Sequence, residues 1–363
     1  MSRRSLSLRR LAALGIQPAA AADPAAAVRS LCAVQAQDYQ SALWAVGLRV
    51  PGARREDVEA AVTRRAIVRT WPMRGTLHFV AAEDVRWMLA LLTPRVIAST
   101  ARRRGSLGLD DAALGAGRRL VEAALSEGPV ARPELFERLR AGGFEPGGQR
   151  GYHLLLLLAM LGVVCQGPIA GKQPTFVLLE DWLAPALSLP REALPREEAL
   201  RRLALRYFAG HGPATVKDLS WWSGLTLRDC RAALDAVELT AEVVDGLSYY
   251  DIPREPPAPA AGCHLLPAFD EHLLGYTDRS VTLDPMFAKR VSPGGGVFRN
   301  TVVSDGKVVG TWTRALRRAS LTVKVSCFEA GDAAALDGAP LVVAAGRYSA
   351  FMGLTEPPSV ASA

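Results

Sequence analysis

A turn written twice in this chain limits what it can fold into more than any other feature. Gly212-Pro213 is followed after four residues by Asp218-Leu219, and Gly128-Pro129 is followed at the same spacing by Glu134-Leu135. Each copy places an acidic residue and a core leucine in one turn of a short helix, which marks a repeated supersecondary unit. Around the later copy, Ala199, Leu200, Leu203, Ala204, Tyr207 and Phe208 recur at helical spacing, and Gly210 with Gly212 ends that helix. A second helix opens after Thr215 and breaks at Gly224, Thr226 caps a third, and two short strands meet at Asp245-Gly246. Three helices and a hairpin make a winged helix, whose third helix can enter a major groove while the hairpin reaches the backbone or minor groove.

The upstream copy reads as helices over 111–126, 133–143 and 152–161 with a wing over 163–179. A more degenerate third copy spans helices near 5–15, 24–35 and 55–65, then strands 67–71 and 76–80 around Pro72-Met73-Arg74-Gly75. Helices over 82–104 follow and end in Arg102-Arg103-Arg104. After Pro253 the composition changes to a proline-rich linker, then to strand-like runs with a hairpin signal at Asp305-Gly306. Residues 262–351 read as a small antiparallel sheet or barrel, and the final SVASA as frayed. The expected class is α+β: winged-helix modules over 1–105, 106–190 and 191–255, and an antiparallel β-barrel over 256–363.

Hydrophobic residues make up 49% of the 363, enough for several packed cores and too much for wholesale disorder. No uncharged apolar run reaches the roughly 18 residues of a membrane span. The arginine-interleaved amino terminus lacks the apolar core of a secretion signal. The net charge is +7, concentrated as +9 over residues 1–180 against −2 over 181–363, a balance that suits an anionic partner of the first half. Five scattered cysteines form no C-x-x-C pair, which fits a reducing cytoplasm. No G-x-G-x-x-G opens a helix, and GPIAGK over 167–172 is one residue short of a P-loop, so nucleotide chemistry is unsupported. Cys263-His264 with Asp270-x-His272 is the one metal-like cluster, and no cofactor or metal is expected.

The segment that stands out chemically is LCAVQAQDYQ, residues 31–40. In an extended backbone Gln35 and Gln37 point the same way; on a continuing helix they diverge by about 200°. Local conformation therefore decides whether they form a site or merely a polar helix end.

Gln35-Ala36-Gln37, the run Arg69 to His78, Gly210-His211-Gly212-Pro213-Ala214-Thr215 with Trp221 to Leu225, and Leu266 to Arg279 together resemble the AlkZ/YcaQ family of bacterial winged-helix DNA glycosylases. The similarity runs in order across about residues 5–350. It implies three tandem winged helices plus a carboxy-terminal β-barrel in a C-shaped clamp, and a catalytic signature of glutamine, aliphatic residue, then glutamine or aspartate. Gln35 and Gln37 match the two-glutamine variant, which belongs to the branch that excises N7-alkylguanines and unhooks bulky adducts or interstrand crosslinks. The resemblance thus implies a monofunctional glycosylase acting as a monomer on double-stranded DNA carrying alkylated guanine, in the cytoplasm, with no membrane and no obligatory protein partner. Arg74 and His78 on the first wing, Arg102, Arg103 and Arg104, Lys172 in the second wing and Lys217 in the third module are the expected DNA contacts. Trp221 and Trp222 read as core, and Asp278-Arg279 as a structural ion pair. The rival readings are a non-catalytic winged-helix regulator and a metal-dependent hydrolase using Asp270, His272 and Asp278.

Overall fold

The computed structural model describes residues 2–171, 173–183, 194–254, 262–317, 319–331 and 339–362. Two compact units make up the chain: residues 1–58, 200–222 and 226–363 form the first, and residues 59–199 with 223–225 the second. The fold mixes α and β throughout.

The first unit holds strand β1 (Val34–Gln35). The second holds β2 (Ile67–Met73), β3 (Thr76–Ala81), β4 (Val130–Ala131), β5 (Val164–Ala170) and β6 (Gln173–Leu178), hydrogen-bonded antiparallel in the order β3-β2-β5-β6-β4. Helices Asp111–Leu125, Arg132–Ala141 and Arg150–Met160 pack on this sheet. Leu135, Leu139, Leu154, Leu158 and Phe176 form their shared core. Asp110 caps the first of these helices by accepting from the Ala113 N–H, and Pro133 sits in the first turn of the second.

In the first unit, helices Arg196–His211, Val216–Ser223 and Leu227–Asp235 precede the hairpin of β7 (Thr240–Val244) and β8 (Leu247–Asp251), in the order that the periodicity predicts. The amino-terminal helix Arg3–Ala13 lies along this hairpin. Arg3 pairs with Asp245 at 2.7 Å, Arg9 reaches Glu242 at 2.7 Å and Asp251 at 2.9 Å, and Leu6 packs with Val244, Tyr249 and Val281. The turn residues Asp245 and Gly246 both have positive φ, as do Asp305 and Gly306, so each hairpin is closed by a two-residue turn of the twist-compatible kind.

The last 100 residues correct the barrel expectation. β9 (Cys263–Leu266), β10 (Thr301–Ser304), β11 (Lys307–Arg317), β12 (Ser320–Cys327) and β13 (Ser359–Ser362) form an open sheet in the order β13-β12-β11-β10-β9. Its two outer strands do not pair with each other among the described residues, so nothing closes it. It is also not wholly antiparallel. The terminal segment, expected to fray, adds β13 parallel to β12, with Thr322 opposite Ser359. The helix Ala339–Phe351 lies against β9, at the end of the 262–351 stretch expected to be a small antiparallel sheet or barrel.

Two further elements differ from expectation. The helix expected over 24–35 ends at Ser30, because Cys32 adopts the left-handed conformation (φ 65°) that stops a helix. An unexpected helix, Tyr39–Gly47, follows; Ser41 to Gly47 are all buried, so no polar face marks its period. Among the described residues no helix is long and apolar enough to cross a membrane.

Candidate functional site

The two glutamines sit on a short non-helical segment held between two helix ends. Upstream, helix Pro24–Ser30 stops at the left-handed Cys32, whose N–H donates to the Arg29 carbonyl at 3.1 Å. β1 then carries Gln35. Downstream, Asp38 caps helix Tyr39–Gly47, its carboxylate accepting from the Ser41 N–H at 2.8 Å. Between these anchors Gln35 is half-buried, Ala36 is fully buried and Gln37 is exposed. Burial alternates as in extended backbone, with the small central residue turned inward.

Residues far along the chain brace the upstream anchor. Arg206 donates from Nη1 to the Arg29 carbonyl at 2.9 Å, beside the end of the helix. Gly210 approaches so closely that a Cβ there would lie 2.3 Å from the Ser30 carbonyl oxygen. Neither contact is announced in the local sequence, because about 180 residues separate the partners; Gly210 was legible only as a helix end.

Two of the other motif runs, the one from Gly210 to Trp222 and the one from Leu266 to Arg279, meet in a buried polar network of the same unit. Glu271 accepts from Trp222 Nε1 at 2.8 Å and lies 3.2 Å from His211 Nε2, while the Tyr207 ring stacks on His211 at 4.7 Å. Tyr207 donates to the Gly275 carbonyl and Tyr276 to that of His211. Arg10 lies 3.7 Å over the Tyr276 ring and donates to the Pro213 carbonyl. Asp218, the repeated acidic residue, accepts from the Thr215 N–H and hydroxyl and the Thr277 N–H. Its counterpart Glu134 instead makes an exposed pair with Arg138. These motif residues therefore build the unit's interior.

Asp270 has a similar structural task. Both its oxygens take Arg49, at 2.9 and 3.0 Å, and Arg49 also donates to the carbonyls of Leu14 and Ala45. Burial works against ionisation of Asp270, but the Arg49 guanidinium outweighs it and holds the carboxyl below its usual range. Burial also lowers both His272 and His264 to about 4, and His264 faces Gln17 at 2.7 Å. No group of three or more potential metal ligands occurs among the described residues. The expected Asp278–Arg279 pair is not made either: Asp278 accepts from the Ser280 N–H, and Arg279 lies over the Trp221 and Phe298 rings. Trp222 is core as expected, but Trp221 is 36% exposed.

The basic candidates separate by environment. In the second unit Arg74 is half-buried at the β2–β3 turn with φ 52°. His78 is fully buried in β3, its Nδ1 2.9 Å from the Thr76 carbonyl, so its ring has no surface to offer a phosphate. Arg102, Arg103 and Arg104 share the short helix Ala101–Ser106; Arg103 reaches Gln149 and Arg104 the Ile97 carbonyl, while Arg102 is exposed. Lys217 is exposed in the first unit, and Lys172 lies outside the described residues. The hairpin of β11 and β12 adds an exposed run at Arg314, Leu316 and Arg317 that motif reading missed.

Comparison with known proteins places this architecture. The family model described as "DNA glycosylase AlkZ-like" matches residues 28–351. An interstrand DNA cross-link repair glycosylase of Streptomyces sahachiroi is 30% identical over 314 residues, covering 78% of this chain and 80% of that protein. The solved structure of the Streptomyces sahachiroi DNA glycosylase AlkZ superposes with a TM-score of 0.81 at 25% identity, over the full length of both chains. The chain belongs to the AlkZ-like family of DNA glycosylases.

Proposed function

We propose that this DNA glycosylase hydrolyses the N-glycosidic bond of N7-alkylated guanine in duplex DNA, including guanine held in an interstrand crosslink, and leaves an abasic site. One observation carries the reading. Gln35 and Gln37 flank an inward-turned Ala36 on a segment fixed at both ends, an arrangement that suits two amides acting on one side of the backbone. The crosslink part rests on the likeness to the Streptomyces interstrand cross-link repair glycosylase.

A neutral amide is too weak a base to deprotonate water outright, so the substrate must supply the driving force. Alkylation at N7 makes guanine cationic. When the C1′–N9 bond breaks, its electron pair goes to the base, which leaves neutral without prior protonation, and positive charge develops on the sugar. The carbonyl dipoles of Gln35 and Gln37 stabilise that charge and orient a water, whose oxygen bonds to C1′ while its proton passes to solvent. No lysine lies near the pair in sequence to form a Schiff base, hence no strand cleavage is expected.

In this reading each helix–helix–helix–hairpin segment acts as a winged-helix module, and Arg74, Arg102, Arg103, Arg104 and Lys217 contact phosphates. The exposed arginines of the β11–β12 hairpin join them.

The test is base release from duplex DNA containing 7-methyl-2′-deoxyguanosine in single turnover at matched occupancy. Gln35→Ala and Gln37→Ala should each slow release by about 100-fold with unchanged DNA affinity. Binding by wild type without release above the spontaneous rate overturns the substrate assignment and points to a lesion narrower than methylguanine; release unaffected by both substitutions overturns the glutamine mechanism.

A further inference from the structure

One cleft of the first unit has no part in the chemistry described so far. It has a volume of about 200 Å³ and lies beside Asp278, Arg279 and Phe298, with Leu283 and Val291 among its apolar walls. That is below the roughly 300–1,000 Å³ of sites for drug-sized ligands and is scaled to one ring system.

Flat groups cluster at its edge. Arg279 is fixed by donation from Nε to the Leu273 carbonyl at 2.8 Å, and its guanidinium carbon lies 5.3 Å from the ring centroids of both Trp221 and Phe298. Phe298 in turn stands 5.6 Å from Phe269. Trp221, Arg279, Phe298 and Phe269 thus neighbour one another in turn, with the two phenylalanine rings tilted by 54°, and none of the four is fully buried. Phe269 holds a left-handed backbone (φ 64°), a conformation costly for an aromatic L-residue and characteristic of positions under functional constraint. Arg279 makes no ion pair with a carboxylate among the described residues, Asp278 included, which leaves its face to the rings.

Clustered aromatic and guanidinium planes are the chemistry that stacks unpaired bases. Asp278 adds edge recognition. Burial raises its pKa, but hydrogen bonds from Ser280 and the charges of Arg10 and Arg3 outweigh this and keep the carboxyl below the usual range. An ionised carboxylate only accepts hydrogen bonds, so it matches a base edge with adjacent donors. Guanine, with N1–H beside its N2 amino group, has that edge, and alkylation at N7 leaves it intact.

We propose that the cleft at Asp278 and Arg279 is a nucleobase site that takes an unstacked guanine, packed against Arg279 and Phe298 and held at its N1–H and N2–H edge by Asp278. The proposal rests on the reading that the enzyme acts on guanine in DNA, but it uses neither Gln35 nor Gln37. The guanine can be an extrahelical base still in DNA or a base already released.

The experiment measures binding of the full chain to duplexes that carry one unpaired guanine, one unpaired inosine, which lacks the N2 amino group, or no unpaired base. Wild type should hold the guanine bulge about tenfold tighter than the inosine bulge, the expected worth of a hydrogen bond to a charged group. Asp278→Ala, at an exposed position, should abolish that preference, and Phe298→Leu should weaken both bulges without changing affinity for the paired duplex. Competition by free 7-methylguanine identifies the released base as a ligand; a bulge preference without such competition confines the site to guanine in DNA. Equal affinity of wild type for guanine and inosine bulges, or a preference that survives both substitutions, overturns the proposal. Base release is not measured, so failure of the glutamine mechanism and failure of this site give different results.

Discussion

Gly210 packs a distant helix against the chain just before the glutamine segment. The hydrogen it carries in place of a methyl group lets the 196–211 helix reach the Ser30 carbonyl, five residues before Gln35. Gly210→Ala must displace one helix from the other, because the atom it meets is backbone and cannot swing aside. Stability should fall by about 2 kcal/mol, as for other overpacking changes, and single-turnover base release should slow in parallel. Thermal unfolding and the base-release assay check this together; an unchanged melting temperature would contradict the close approach.

At the scale of elements, the glutamine segment owes its shape to the helix ends beside it. Asp38 is an N-cap, and its neighbour position to Gln37 invites a catalytic reading that the two exchanges at this site separate. Asp38→Asn keeps a good cap and should leave base release near wild type, whereas Asp38→Ala should cost about 1 kcal/mol of stability. A large loss of activity in Asp38→Asn at unchanged melting temperature would instead give the carboxylate a part in the chemistry. Elements with a local cause were legible beforehand. The hairpins at Asp245-Gly246 and Asp305-Gly306 follow from residues that accept positive φ, and the helices at 111–125 and 196–211 from their apolar periodicity. Elements with a distant cause were not. Helix Tyr39–Gly47 is buried all round, and β13 exists only through its pairing with β12. Within the site, the glutamine pair was visible through family likeness, while the bracing by Arg206 and the burial of His78 depend on contacts that no local pattern encodes.

Across the whole molecule, buried histidines tie stability to pH. His264 and His272 titrate near 6.5 in an unfolded chain and at about 4 when folded. Between those values the unfolded state binds more protons, so stability present above pH 6.5 is lost as pH falls toward 4, by roughly 3 kcal/mol for each ring. Melting temperatures from pH 7.5 to 4.5 should decline below 6.5; a flat profile down to pH 5 would remove this account. The division into units also bears on synthesis. Residues 1–58 emerge from the ribosome well before the partners that complete their unit, which begin at residue 200. At about 5–20 residues per second, the segment bearing Gln35 and Gln37 waits on the order of ten seconds or more while the second unit is made. During that time Leu6 lacks Val244 and Tyr249, and Trp44 lacks Tyr348 and Phe351, the residues they pack against in the finished protein. The segment bearing Gln35 and Gln37 therefore depends on protection from aggregation for as long as the intervening second unit takes to be made.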